Sequence, residues 1–376
     1  MRIVSIVGAR PQFVKLAPVS RAMAAASSAG GVEVEDVIVH TGQHYDASMS
    51  DVFFDELEIP RPGMHLEIGS GSHGAQTGRM LEAIENSLQE SDPDMVVIYG
   101  DTNSTVAGAL AAAKLHIPIA HIEAGLRSFN REMPEEINRV VADHTSDLLL
   151  APTETAMKNL RDENLTDRSF NTGDVMLDAV HFNSRLAEER SGILERLNLQ
   201  VGEYAVATLH RPANTDAGNL VRVLDTLGEI AEDRIPVVFP AHPRTVAILE
   251  SSEAQWSKPD SLLMIEPVGY LDMLRLLRHA RIALTDSGGL QKEALFLETP
   301  CVTLREETEW PETIDAGGNI LTGSNREKIL DAVNHWLAMN QSGPDIESKN
   351  DAPFGDGSAA EKIVEKILEF HTKKCR

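Results

Sequence analysis

The chain has 376 residues, 42% of them apolar and 24% charged, a soluble globular balance long enough for two domains of ordinary size. No apolar run nears the length that spans a bilayer, MRIVSIVGARPQF reads as a strand and loop rather than a leader, and two cysteines, Cys301 and Cys375, exclude a disulfide framework and fit a reducing cytoplasm. A formal charge of −24 argues against nucleic acid or an anionic membrane surface as partner.

RIVSIVG predicts the first strand, and its tail GARPQF leads into a helical pattern, FVKLAPVSRAMAAA. VEDVIVHTG is the second strand; His40 and His44 follow it across a turn, which is not the helical spacing of a zinc pair, so a polar loop role is favoured over a metal site. DMVVIYGD ends on Asp101 before the helix TVAGALAAAKL, and PIAHIEA ends on Glu123. Both carboxylates stand at the C-terminal edge of a strand, where open α/β sheets bind ligands. PEEINRVVADH opens with Pro134 and two acids, Glu135 and Glu136, as a helix N-terminus favours; for Glu136 taken alone, capping is the expected role. DLLLAPT follows as a further strand.

Past Asn171-Thr172-Gly173-Asp174 a helical segment leads to NLQVGEY, and the alternation restarts with YAVATLHR, IPVVFPAHP, SLLMIEPVGY, RIALTDSGG and PCVTLREET. Near-continuous Val/Ile/Leu strands separated by helices indicate parallel sheets covered on both faces, here two of them. In LTDSGGLQKE a strand runs into two glycines and a new helix. Close backbone approach and the unpaired N–H groups of a helix start make this an anion site, with phosphate the usual occupant. Cys301, within PCVTL, is expected to be a small buried residue. QSGPDIESKNDAPFGDGSAA reads as a loop and AAEKIVEKILEFHTKK as a final amphipathic helix. The tails GARPQF, HTGQH, GDTNST, HIEAGLR, LHRPANT, AHPRT and TDSGG are all chemically loaded, which implies a cleft between two halves. Arg10, Lys15, Arg127, Arg139, Arg211 and Arg244 lie beside these tails, as a phosphate ligand on an acidic protein requires. The first turn, Gly-Ala-Arg-Pro, lacks G-x-G-x-x-G, and no P-loop occurs. Several carboxylates, His210 and His242, cations and a phosphate-like turn suit acid/base chemistry on a nucleotide-linked substrate.

GARPQFVKLAP, GDTNST, HIEAGLRSFNREMPEEINR, TLHRPANT and LTDSGGLQKEA, then TEWPET and PFGDGSA, resemble the non-hydrolysing UDP-N-acetylglucosamine 2-epimerases over nearly the whole length, in that family's order. The resemblance implies a GT-B-like α/β fold, with two Rossmann-like domains whose parallel sheets face a central cleft. These would be residues 1–172 and 173–355, with a C-terminal helix in 356–376 packing back on the first domain. It implies interconversion of UDP-GlcNAc and UDP-ManNAc by eliminating UDP to 2-acetamidoglucal and adding it back, with no cofactor and no metal. By motif position Asp101, Glu123, Glu135 and His210 are the catalytic residues. Arg10, Lys15, Ser287, Gly288 and Gly289 hold UDP, and Glu293 binds the ribose hydroxyls. Gln43, His44, Glu136 and Arg211 match the neighbourhood of the second, activating UDP-sugar site of bacterial members, and relatives are commonly homodimers. One departure stands out: Trp310 replaces an arginine that contacts the nucleotide in many members. GARPQF and HTGQHYDASMSDVFF also resemble a branch that epimerises UDP-2,3-diacetamido-2,3-dideoxyglucuronate for a surface polysaccharide. A GT-B glycosyltransferase is a more distant alternative, since it would need an acceptor and not this set of carboxylates.

Overall fold

A computed structural model describes residues 1–29, 32–43, 54–209, 217–241, 243–250, 256, 258–339 and 352–374. His44, His210, Arg211, His242 and Cys375, singled out above, lie outside the described residues. The chain forms two compact units, one of Met1–Ala179 with Ala352–Arg376 and one of Val180–Asp351. The division thus falls inside a helix at 179–180 rather than at 172. The reason is local: the Asp174 N–H donates to the Phe354 carbonyl at 2.9 Å, and Asp178 caps the last helix, so this stretch is tied to the first unit.

The first unit is built on β1 (Arg2–Val7), β2 (Glu35–His40), β3 (Met64–His65), β4 (Met95–Tyr99), β5 (Ile119–Ile122), β6 (Leu148–Ala151) and β7 (Ser169–Asn171). They make a seven-stranded sheet in the order β3-β2-β1-β4-β5-β6-β7, paired in parallel throughout. Its helices are α1 (Arg10–Ser28), α2 (His73–Ser91), α3 (Asn103–Lys114), α4 (Pro134–Thr145), α5 (Glu154–Asp162) and α6 (Val175–Arg190), the last running into the second unit. Val4 and Ile6 of β1 and Val96 and Ile98 of β4 pack on Ala107 and Ala111 of α3. Each such Val or Ile, taken wholly out of water, contributes about 1.5–3 kcal/mol before the entropy cost of ordering it. Alanines on α3 let the helix lie close to the sheet, which holds its N-terminus at the end of β4.

The second unit holds β8 (Ala205–Thr208), β9 (Val237–Pro240), β10 (Leu262–Ile265), β11 (Ile282–Thr285), β12 (Cys301–Thr303) and β13 (Asn319–Leu321) in a parallel sheet ordered β10-β9-β8-β11-β12-β13. Around it lie α7 (Ile193–Arg196), α8 (Ala217–Asp233), α9 (Pro243–Glu250), α10 (Tyr270–His279), α11 (Gly288–Phe296), α12 (Pro311–Asp315) and α13 (Arg326–Ala338). Leu220, Val223, Leu224, Leu227 and Ile230 recur at helical spacing along one face of α8 and join Val237, Phe239, Leu262 and Leu284 in one core.

The final helix, α14 (Ala359–Lys374), belongs to the first unit and packs against α1 through a face that includes the buried Ile363, Val364 and Ile367. Its first N–H groups, those of Ala359 and Ala360, donate to Asp178 at 3.2 and 2.9 Å. Among the described residues no helix is long and apolar enough to cross a membrane. In each sheet the strand order reverses once, between β1 and β4 in the first unit and between β8 and β11 in the second. The carboxyl ends of these strands are where a doubly wound sheet leaves a crevice.

Candidate functional site

At the first unit's reversal point, Gln12 organises the turn after β1. Its Oε1 accepts the N–H groups of Gly8 and Ala9 at 2.8 and 3.2 Å, and its Nε2 donates to the Tyr99 carbonyl at 2.9 Å, tying the start of α1 to the end of β4. Arg10 is exposed on the first turn of α1. Lys15, one turn further, is buried and ion-paired with Glu123, which follows β5. Glu123 has φ +69°, a left-handed backbone that a glutamate adopts only at a cost. Gly100, at φ +61°, leaves room for the pair: a Cβ there would stand 3.1 Å from Glu123 Oε2 and 3.2 Å from Lys15 Nζ. Lys15, Glu123 and the Gly100-Asp101 turn therefore share one location.

Asp101 keeps about a third of its side chain exposed, at 30%, and Arg139 of α4 donates to its Oδ2 at 2.6 Å. Asn138, the preceding residue, donates to the Asp101 backbone carbonyl at 2.9 Å. The two acids that open α4 then separate in role. Glu136 is buried and accepts the N–H groups of Ser128 and Phe129 at 2.9 and 3.0 Å, the Ser128 hydroxyl at 3.0 Å and Arg139 Nη1 at 3.1 Å. Burial alone would raise its pKa, but these donors together hold it below the usual glutamate range. Glu135 is half-buried, and its carboxylate makes no hydrogen bond or ion pair with a described residue. One acid clamps the 128–129 loop and Arg139, while its neighbour stays uncommitted beside them.

Beneath this layer His121 of β5 sits with both ring nitrogens on acceptors, Nδ1 to Asp143 at 2.7 Å and Nε2 to the Gly100 carbonyl at 2.8 Å. Asp143 also pairs with Arg127 at 2.7 Å and accepts the Gly125 N–H at 3.1 Å; Arg127 in turn forks onto Glu163 at 2.7 Å. Burial opposes the charge on Asp143, yet His121 and Arg127 outweigh it and keep the carboxyl below the ordinary aspartate range. This network fixes the carbonyl of Gly100 and so the turn bearing Asp101. His121 and Asp143 were not singled out from sequence. Their signal is a histidine inside the strand PIAHIEA, where a buried polar residue demands a partner.

The remaining first-unit candidates divide. Gln43 accepts the N–H and hydroxyl of Ser104 at 3.1 and 2.8 Å, at the N-terminus of α3, beside the Thr41–Ser104 contact of 2.8 Å. His40 is buried in a stack, its ring 5.1 Å from Phe13 and 4.3 Å from His65, and accepts the Gly42 N–H at 3.0 Å. Among the described residues no group of three or more His, Cys, Asp or Glu is arranged to hold a metal ion.

In the second unit, β11 ends at Thr285, whose hydroxyl meets that of Thr208 from β8 at 2.6 Å and accepts the Ser287 N–H at 2.9 Å. Ser287 is the N-cap of α11 and accepts from Leu290 N–H at 3.4 Å. Gly288 and Gly289 follow in the first turn, where N–H groups have no intrahelical acceptor. A Cβ on Gly289 would find only Ser287 Oγ, 3.9 Å away, so nothing inside the protein requires a glycine there. Glu293 lies buried further along the same helix. Trp310, buried at the start of α12, faces Lys292 of α11. Cys301 is buried, and burial pushes its thiol up to about 12 against a small opposing effect of Thr303.

Residues 28–368 match the UDP-N-acetylglucosamine 2-epimerase family. The chain belongs to that family. It is 51% identical to a Methanococcus maripaludis protein described as a UDP-N-acetylglucosamine 2-epimerase homolog, over 97% of this chain and 99% of the relative. It is 44% identical to the UDP-2,3-diacetamido-2,3-dideoxy-D-glucuronate 2-epimerase of Pseudomonas aeruginosa, over 98% of this chain and 100% of that enzyme. Among solved structures it is similar to the Methanocaldococcus jannaschii UDP-GlcNAc 2-epimerase in complex with UDP-GlcNAc and UDP. That match has a TM-score of 0.87 and 43% identity, covering 98% of this chain and 100% of the other. The epimerase fold is thus the one both units display, a GT-B-like pair of Rossmann-like sheets.

Proposed function

We propose that this epimerase-family chain is a non-hydrolysing UDP-N-acetylglucosamine 2-epimerase. The observation that carries the reading is the division of chemistry between the two reversal points. The first presents acids, one of them uncommitted, and the second the start of α11, where Gly289 is exposed with open space beside its Cα. Inverting C2 of UDP-GlcNAc requires removal of a C2 proton that no carbonyl acidifies. Elimination solves this: the C2–H electrons form the C1–C2 double bond as the C1–O bond breaks, and UDP departs with that bond pair. Returning the proton to the opposite face of C2 as UDP re-adds at C1 gives UDP-ManNAc.

Asp101 and Glu135 share the two proton transfers in this scheme. Arg139 orients Asp101, and Glu135, bound to no described protein group, is available to the sugar. Glu123 with Lys15, and His210, stabilise charge as UDP leaves. Ser287, Gly288 and Gly289 hold the diphosphate, Glu293 the ribose and Arg10 adds positive charge. Glu136, matched above to an activating second site, instead serves the catalytic layer by clamping Ser128, Phe129 and Arg139. Gln43 retains Ser104, and no activating site is needed for the scheme. The working form is a cytoplasmic homodimer acting on a UDP-sugar, with a mass in solution twice the chain's 41.1 kDa.

Proton NMR of the enzyme with UDP-GlcNAc in heavy water tests the reaction. UDP-ManNAc is expected to form without acceptor or nicotinamide, carrying deuterium at C2. A product that retains its C2 hydrogen, or a need for an acceptor, would falsify the scheme. The 44% identity to the diacetamidoglucuronate enzyme supports that sugar as a second substrate to be run in parallel.

A further inference from the structure

Asp101, to which the scheme gives a proton transfer, follows a glycine that does not hold itself in place. Gly100 has φ +61°, and glycine takes either sign of φ at little cost, so the turn that carries Asp101 needs support from outside. The Gly100 N–H donates to the Ile122 carbonyl at 3.0 Å. The Gly100 carbonyl, which belongs to the peptide joining Gly100 to Asp101, accepts from His121 Nε2 at 2.8 Å. A carbonyl and a carboxylate both accept, so with Nδ1 lying 2.7 Å from Asp143 both ring nitrogens donate. Arg127 holds the other oxygen of Asp143 at 2.7 Å, and His121 and Asp143 are each 0% exposed, so the ring is locked from its far side. The next peptide, from Asp101 to Thr102, is held independently. Its carbonyl accepts from Asn138 Nδ2 at 2.9 Å, and its N–H donates to Thr105 Oγ1 at 3.1 Å. Arg139 reaches the carboxylate itself.

We infer that His121 and Asn138 are positioning residues for the proton transfer at Asp101, each fixing the peptide on one side of it without touching the sugar. This rests on the reading that Asp101 moves a proton at C2. A proton donor or acceptor must stand within hydrogen-bond reach of its target atom, and a displacement of about 1 Å can cost on the order of a hundredfold in rate. Arg139 orients the carboxylate but leaves the Asp101 Cα able to shift with the glycine before it; the two peptide contacts remove that freedom. The competing role for His121 is structural only, joining β5 to Asp143 of α4. The two roles separate because the ring spends one nitrogen on each. An asparagine in its place sets an amide near the Nδ1 position and serves Asp143, whereas a glutamine reaches the Nε2 position and serves Gly100.

The experiment measures steady-state epimerisation of UDP-GlcNAc and deuterium entry at C2 in heavy water for the full chain, with each rate divided by the folded fraction from a urea melt. His121→Asn is expected to lower kcat by about tenfold to a hundredfold with KM nearly unchanged, the mark of an interaction that counts at the transition state. His121→Gln is expected to restore most of that turnover although it gives up Asp143. Equal losses in the two variants, or corrected rates that match the wild type in both, overturn the inference. Asn138→Ala is expected to show the same fall in kcat at constant KM, and it serves alone should neither His121 variant fold; a wild-type kcat there overturns the clamp on Asp101. Asp101→Asn is run alongside. If it epimerises at the wild-type rate, or if the wild type does not act on UDP-GlcNAc, the proposed reaction scheme fails first. If Asp101→Asn is inactive while the His121 and Asn138 variants turn over normally, the positioning role alone fails.

Discussion

Gly289 shows how a single residue can be placed for a ligand rather than for the fold. Its φ is not positive and its missing Cβ would have open space, so Gly289→Ala is expected to raise stability, by up to about 0.5–1 kcal/mol as alanine replaces glycine in a helix. The same methyl would intrude on a bound phosphate. The test is a urea melt beside a UDP titration: greater stability with weaker UDP binding is expected, and unchanged UDP affinity would remove Gly289 from the site. Gly100 predicts the opposite pattern. Gly100→Ala forces a Cβ into a left-handed backbone and against the Lys15–Glu123 pair, so both stability and epimerisation should fall, with a loss of about 1–3 kcal/mol on unfolding. The Cys301 thiol, raised to about 12 by burial, is expected to resist a disulfide reagent at pH 8 in the folded enzyme and to react once urea unfolds it.

At the scale of residues the sequence was legible where chemistry sits in a short motif. Asp101, Glu123 and Ser287 stand at strand ends because the apolar runs stop there, and a pattern of runs is visible in one dimension. The partition between Glu135 and Glu136 was not. Two adjacent glutamates in a first helical turn look alike until the 128–129 loop folds back and occupies one of them. Arg139 and the Lys292–Trp310 contact likewise depend on which helix faces which, a matter of packing that spacing along the chain does not encode.

Among elements, α4 and β5 depend on a buried charge cluster. Asp143 of α4 holds His121 of β5 and Arg127 together, and its depressed pKa links their stability to pH. The folded value lies below that of the unfolded chain, near 3.9 for an ordinary aspartate. Its contribution is therefore complete above about pH 4 and is lost as pH falls through the depressed folded value. Denaturant midpoints measured from pH 7 downwards should decline below about pH 4 for the wild type. Asp143→Asn, which leaves Arg127 with a buried fork partly unmatched, should be destabilised at neutral pH by about 3–5 kcal/mol and show a shallower decline. A parallel acid profile for the two proteins would show that other carboxylates govern the transition. The strand and helix alternation was readable from sequence, since fully buried parallel strands are continuous apolar runs. The cluster was not readable, because its members come from β5, α4 and two loops.

For the whole molecule, the charge of −24 implies that cations near the ligand are few and each is consequential. Raised ionic strength should weaken UDP binding through the exposed Arg10. The final helix gives the largest structural prediction. Ending the chain after Ser358 removes α14, uncovers the apolar surface of α1 and strips Asp178 of the two N–H groups it accepts. Exposure of a dye-binding apolar face and loss of cooperative melting in the first unit are expected; an unchanged melt would show that α14 is dispensable.

That helix also sets an order of events. The first unit is written in two instalments, with all of the second unit between them. A ribosome delivers the seven-stranded sheet early, yet the piece that covers α1 emerges only after the whole second unit. The nascent first unit must therefore wait with a bare hydrophobic flank while an entire further unit is made, which makes this interval the step where chaperone assistance or aggregation is decided.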